Sequence, residues 1–168
     1  ESARDEVRQA FEAKHLLLGS FDEEGRLAGW IGAIRQYVCD GVATGWELHP
    51  LAVLPSEQKQ GVGTVLVQVL EDRLRRMGAW VIYLGTDDET GSTTAATYQA
   101  RLAATNGESP GRVVGELVTR MNDPDVDVGL SHPYRFYRRL GYAVCGIVPD
   151  ANGQGCPDIM MFKRLREK

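Results

Sequence analysis

WELHPLAVLPSEQKQGVGTVLVQVLEDRLRRMGAWVIYLG, residues 46–85, is the stretch whose reading decides the fold. Trp46–Leu54 is an apolar run ended by Pro55. As a strand it would put Glu47, His49, Leu51 and Val53 on one face. Ser56 to Gly63 is polar and glycine-bearing, a turn. It feeds a helix in which Val62, Val65, Leu66, Val69, Leu70, Leu74 and Met77 follow the 3.6-residue period. Arg73, Arg75 and Arg76 suit the negative end of that helix, and Gly78 stops it. Trp80–Gly85 is again continuously apolar, the pattern of a strand covered on both faces. Strand, glycine turn, helix, strand is a βαβ unit, so the two strands should lie parallel.

Outward from this unit, the pattern is less regular. Ser2 to His15 carries Val7, Ala10, Phe11 and Lys14 at helical spacing. His15–Phe21 and Arg26–Tyr37 read as strands joined by the turn Asp22–Gly25, an antiparallel hairpin. Cys39 to Gly45 reads as a connection. Thr86 to Ser131 has little periodicity, and a loop that long in a compact domain is usually functional. Pro133–Leu140 is a short helix closed by Gly141, and Tyr142–Val148 and Asp158–Arg164 are closing strands around the loop Pro149–Gly155. The expected class is α/β with a mixed, mostly antiparallel sheet.

Composition removes several functions. The 168 residues and 18.5 kDa suit one domain, 1–168, with 43% hydrophobic residues against wholesale disorder. Lys+Arg 19 against Asp+Glu 23 gives a net charge of -4, which argues against nucleic acid as a partner. Cys39, Cys145 and Cys156 form no CxxC pair, so they read as reduced thiols of a cytoplasmic protein, with no metal site. No apolar run approaches the ~18 residues of a membrane span. The oligomeric state stays open, a homodimer included.

The turn Gln58-Lys59-Gln60-Gly61-Val62-Gly63 opens a helix, where unpaired N–H groups and the positive dipole end cradle phosphate. Its Q-x-x-G-x-G spacing, after a strand and before a long helix, resembles the acetyl-CoA-binding core of the GNAT superfamily of N-acetyltransferases. Phe136-Tyr137-Arg138-Arg139-Leu140-Gly141-Tyr142 resembles that superfamily's F-Y-x-x-L-G-F segment. The resemblance implies a splayed sheet with helices on both faces and the parallel pair at the acetyl-CoA site. It implies pyrophosphate binding by Gln58, Lys59, Gln60, Gly61, Val62, Gly63 and Thr64. It also implies pantetheine binding along Leu51, Ala52 and Val53, with Tyr137 beside the sulfur as thiolate-protonating acid. The family's usual first strand and helix are not visible, which fits a start beyond Glu1. Residues 86–131 would then be an acceptor-side insertion.

The strings Trp46-Glu47-Leu48-His49-Pro50-Leu51, Tyr83-Leu84-Gly85-Thr86-Asp87-Asp88-Glu89, His132-Pro133-Tyr134-Arg135-Phe136-Tyr137 and Pro149-Asp150-Ala151-Asn152-Gly153 resemble bacterial aminoglycoside 6'-N-acetyltransferases. The resemblance implies acetyl transfer to a primary amine, the 6'-amine of a cationic aminoglycoside, with antibiotic resistance as the consequence. A polyamine, small metabolite or protein amine, or a non-catalytic acyl-CoA sensor, are the alternatives. A protonated amine cannot attack a thioester, so a base must take a proton. Glu47 and His49 are the candidates, with Glu47 also able to orient substrate. Asp87, Asp88 and Glu89, with Asp150 and Asp158 flanking the last hairpin, are the candidate ligands for substrate ammonium groups. Residues 86–127 hold eight acids against three bases, which suits a negative acceptor pocket.

Overall fold

The computed structural model describes residues 15–104 and 107–166, together with Asp5 and Arg8; the helix expected over Ser2–His15 falls almost wholly outside the described residues. The elements are β1 Leu16–Phe21, β2 Leu27–Cys39, β3 Val42–Val53, a 3-10 turn at Pro55–Glu57, α1 Val62–Arg76 and β4 Val81–Asp87. There follow α2 Thr94–Ala103, α3 Pro110–Met121, α4 Pro133–Arg139, β5 Ala143–Val148 and β6 Asp158–Arg164. The chain divides into two compact units, residues 1–83 with 164–168, and residues 84–163.

In the first unit the strands neighbour one another in the order β1, β2, β3, β4. β1–β2 and β2–β3 are antiparallel. β3 and β4 are parallel, Gly45–Glu47 against Val81–Tyr83, as the βαβ reading requires. In the second unit β4 neighbours β6 and β6 neighbours β5, the last pair antiparallel. The class is therefore the expected mixed α/β fold with one parallel pair.

β3 begins at Val42 and not at Trp46, which corrects the expected connection. Asp40 and Gly41 both have positive φ, 50° and 77°, so they form a two-residue hairpin turn. Asp-Gly is the pair that such a turn favours, because its twist matches that of the strands.

The register of β3 corrects a second expectation. Ile31 faces Leu51 and Ala33 faces Leu48, so β3 carries an extra residue at His49–Pro50. Opposed residues share a face, and an extra residue exchanges the faces beyond it. Glu47, opposite Ile34, therefore shares its face with Ala52, opposite Trp30, and not with Leu51 and Val53. Gly32 lies across from the bulge, where a Cβ would stand 2.5 Å from the His49 carbonyl oxygen.

α1 buries Leu66, Val67, Leu70 and Leu74, whereas Val65 and Val69 are 56% and 50% exposed. The apolar stripe is rotated by about one residue from the expected one, and Glu71 occupies the buried side, 3.0 Å from Arg75. The helix ends as read: Gly78 has φ 88° and the Ala79 N–H donates to the Leu74 carbonyl at 3.0 Å. β4 is not covered on both faces. Ile82, Leu84 and Thr86 are buried while Gly85 and Asp87 are exposed, a half-buried strand.

The expected long loop over Thr86–Ser131 contains α2 and α3. The Thr93 hydroxyl caps α2 by accepting from the Ala95 N–H at 3.1 Å. α3 starts at Pro110, where a missing N–H is harmless, and buries Val113, Leu117 and Met121. With the half-buried Val114 and Val118 beside them, these residues form an amphipathic face that the expected loop overlooks. Its end is closed by the Arg138 guanidinium, which donates to the carbonyls of Met121, Asn122 and Asp123 at 2.9, 2.6 and 2.7 Å. Among the described residues no helix is long and apolar enough to cross a membrane.

Asn122 ties α3 to β5 with two bonds, its amide donating to the Val144 carbonyl and its oxygen accepting the Val144 N–H, each at 2.8 Å. Asn122→Ala strands both backbone groups and should lower the unfolding free energy by about 2 kcal/mol in denaturant titration. A loss under about 0.5 kcal/mol would mean water replaces both bonds at no cost.

Candidate active site

Parallel pairing of β3 with β4 ends at Glu47 and Tyr83. Beyond it, Leu48, Leu51, Ala52 and Val53 pair with β2 alone among the described residues. The Leu54 N–H donates to the Ala28 carbonyl at 2.9 Å. Strand alternation then aims the backbone groups of Ala52 at β2 and those of Leu51 and Val53 outward, an open edge able to bind an extended chain. The Gln58 side-chain amide donates to the Val53 carbonyl at 3.1 Å, so Gln58 fastens the turn to this edge. Gln60 likewise donates to the Ser56 carbonyl at 2.7 Å.

Lys59 and Gly61 take left-handed conformations, φ 61° and 93°, and reverse the chain into α1. The first helical bond runs from the Val65 N–H to the Gly61 carbonyl at 3.0 Å. The N–H groups of Val62, Gly63 and Thr64 precede it and have no intrahelical acceptor. Gly61 supplies no side-chain cap and the first turn holds no acid, so these amides and the helix dipole face outward with positive character. Open edge and amide cluster lie on either side of one short turn, which fits a ligand with an amide-bearing arm and a pyrophosphate.

Glu47 is half-buried, and the Gln36 amide donates to its Oε2 at 2.7 Å. Tyr83 is its lateral partner in the parallel ladder. Burial first, then the Glu47 charge and Tyr37, with hydrogen bonding to Glu47, push the Tyr83 hydroxyl up to about 12. The Tyr37 ring lies 6.2 Å from that of Tyr83. His49 is exposed at the bulge. Gln36, Tyr37 and Tyr83 were not legible as site residues. The signal available for Tyr83 was its place three residues into the strand that the βαβ unit sets beside β3.

In the second unit, Tyr137 is buried on α4 with edge-on contacts to Phe136 and Tyr142 at 5.1 and 5.6 Å. Burial pushes its hydroxyl up to about 12, so it stays protonated at neutral pH, as a proton donor must. His132 caps α4, its Nδ1 accepting from the Tyr134 N–H at 3.2 Å, while Nε2 meets the Asp87 carbonyl at 2.8 Å. The Asp87 carboxylate is exposed and accepts from the Asn152 amide at 2.8 Å through one oxygen. Glu89 is exposed.

Several of the other acids are committed within the unit. Asp88 is fully buried and accepts from the Thr93 N–H and hydroxyl and the Ser92 N–H at 3.0, 2.8 and 3.0 Å. Burial alone would raise its pKa; those bonds and His132 outweigh it and bring the carboxyl below its ordinary value. That geometry makes Asp88 a cap for the turn into α2 and does not suit it to holding a substrate ammonium. Asp150 accepts from Gln99 and the Gly155 N–H at 2.7 and 2.8 Å. Asp158 is half-buried with its carboxylate against Gly85. Glu108 and Glu116 are paired with Arg101 and Arg112, and Asp127 holds Thr94 and the Tyr134 hydroxyl. Of the eight acids of residues 86–127, Asp87, Glu89, Asp123 and Asp125 are the exposed ones.

A family model described as acetyltransferase (GNAT) family matches residues 1–104. A crystal structure of an aminoglycoside 6'-N-acetyltransferase complexed with coenzyme A is 34% identical, with a TM-score of 0.75, over 100% of this chain and 82% of that one. The aminoglycoside 6'-N-acetyltransferase from Enterococcus faecium is 35% identical, with a TM-score of 0.77, over 99% of this chain and 84% of that one. No curated protein sequence matches the chain.

The position of the Tyr137 hydroxyl has a measurable consequence. Its folded value of about 12 lies above its ordinary 10, so the folded state holds the proton longer than the unfolded one. Stability is complete below pH 10 and falls as pH rises toward about 12. Tyr137→Phe should lessen that fall in urea unfolding, without abolishing it, because Tyr83 and Tyr134 are also held at about 12. An unchanged alkaline slope would contradict the burial of this hydroxyl.

Proposed function

We propose the acceptor for this chain, which belongs to the acetyltransferase (GNAT) family: the 6'-amine of an aminoglycoside. The observation that carries the reading is the whole-length likeness to two aminoglycoside 6'-N-acetyltransferases at 34% and 35% identity. The half-buried Glu47 carboxylate at the end of the parallel pair supports it.

Acetyl-CoA supplies an activated thioester. The Val62, Gly63 and Thr64 amides, with Lys59, would hold its pyrophosphate, and the outward backbone groups of Leu51 and Val53 its amide-bearing arm. Gln58 and Gln60 brace that turn through the Val53 and Ser56 carbonyls. Ala52, whose backbone is turned to β2, would meet the arm only by its side chain. Glu47 would take the proton from the attacking ammonium, directly or through water, with His49 at the same strand as the second candidate. A carboxylate is ionised at neutral pH and suits acceptance from a bound ammonium. Tyr137, protonated throughout the neutral range, would donate to the departing thiolate; a CoA thiol of pKa roughly 8.5 needs this only mildly.

An aminoglycoside offers several ammonium groups and little apolar surface, so binding must come from charge-assisted bonds. Asp87 and Glu89 have exposed carboxylates for this, and Asp150 and Asp158 would serve by shaping the loop beside them. Acetylation removes one of those charges, which is the physical route to resistance.

Steady-state turnover of acetyl-CoA with a panel of aminoglycosides, polyamines and peptide amines tests the acceptor. The reading expects aminoglycosides with a free 6'-amine to have the highest kcat/KM; preference for a polyamine or peptide would replace it. Glu47→Gln should lower kcat about 10²- to 10⁴-fold. Gly63→Val places a branched side chain among the phosphate-facing amides and should weaken acetyl-CoA binding in a folded protein. Unchanged affinity by calorimetry would remove the turn from the cofactor site.

A further inference from the structure

Consecutive residues of a strand point to opposite faces, yet Gln36 and Tyr37 both serve the surroundings of Glu47. The register explains how. Arg35 faces Trp46 and Tyr37 faces Gly45, so β2 carries one extra residue, and that residue is Gln36. The bulge puts Tyr37 opposite Gly45, two residues from Glu47 on the same face. Gln36, freed from the ladder, donates to Glu47 Oε2 at 2.7 Å.

Gly45 is part of the same device. A Cβ there would collide with the Tyr37 ring, so the ring lies over the glycine and reaches Tyr83 at 6.2 Å. Tyr83 is the lateral partner of Glu47 in the parallel ladder, with a hydroxyl that remains a donor at neutral pH. A carboxylate in mid-strand has free side-chain torsions. Donors from both neighbouring strands would fix the orientation of the carboxylate.

We propose that Gln36 and Tyr83 are positioning residues for Glu47, with the bulge at Gln36 and the bare backbone of Gly45 as the structural means. The inference rests on the reading of Glu47 as the proton acceptor. Neither residue needs to touch substrate; each acts through the orientation of the carboxylate.

Steady-state kinetics of the full chain with acetyl-CoA and an aminoglycoside bearing a free 6'-amine test this. Gln36→Leu and Tyr83→Phe should each lower kcat about tenfold or more, the worth of a hydrogen bond to a charged group. The KM for acetyl-CoA and the thermal midpoint should not move. The decisive arm is the cycle: Gln36→Leu added to Glu47→Gln should cost nothing further, because its route is already gone. Unchanged kcat in both single variants, or a full additional loss in the double variant, overturns the proposal. If Glu47→Gln alone keeps wild-type turnover, the proton-acceptor reading falls, and the positioning role with it. Tyr83→Phe, which loses only a hydroxyl, keeps the test open should Gln36→Leu fail to fold.

Discussion

The parallel ladder of β3 and β4 holds three residue pairs, and its stop at Glu47 and Tyr83 is the constraint on which the first unit's site depends. Were the ladder to continue, the backbone of Leu51 and Val53 would be satisfied by β4. It ends, and those groups become an edge. Edges of this kind invite aggregation in most proteins, yet this one is only a few residues long and is terminated by Pro55 and the Gln58 side chain. The last paired position holds the carboxylate. Open edge and candidate base thus meet where one pairing ends.

Much of this was legible. The βαβ unit follows from residues 46–85, because glycine, proline and the 3.6-residue period leave few alternatives. The helix around Tyr137 and the last two strands fell where Gly141 and the aromatic residues put them. The errors on the strands share one cause. The bulges at Gln36 and at His49–Pro50 break the two-residue alternation, and only pairing with a neighbouring strand reveals them. Reading β3 as regular put Glu47 on the face of Leu51 and Val53, when it shares a face with Ala52. The stripe on α1 slipped for a different reason: Val65 and Val69 are apolar but exposed, and Glu71 is acidic but buried beside Arg75. Residues 86–131 hold two helices that the reading missed: the Ala-rich Thr94–Ala103 has little contrast between its faces, whereas Val113, Val114, Leu117, Val118 and Met121 do keep helical spacing after Ser109-Pro110.

Charge counting misled in an instructive way. An excess of acids in one segment reads as a pocket for cations only if the carboxylates are free. Glu108 and Glu116 neutralise two arginines, and Asp88 and Asp127 close turns and cap helices that the segment could not otherwise form. The exposed acids of the segment are Asp87, Glu89, Asp123 and Asp125, the first of them set by His132 and Asn152. Acids serving backbone amides is the ordinary consequence of building helices from a segment rich in Ser, Thr and Gly.

The open backbone edge at Leu51 and Val53 is the proposed seat of the acetyl-CoA arm. Residue-resolved amide hydrogen exchange with and without acetyl-CoA reads this directly. The account predicts that the Leu51 and Val53 amides, with those of Val62, Gly63 and Thr64, gain protection on binding, while the Ala52 amide, already turned to β2, does not change. Acetyl-CoA that binds by calorimetry yet leaves the Leu51 and Val53 amides exchanging as before would contradict it.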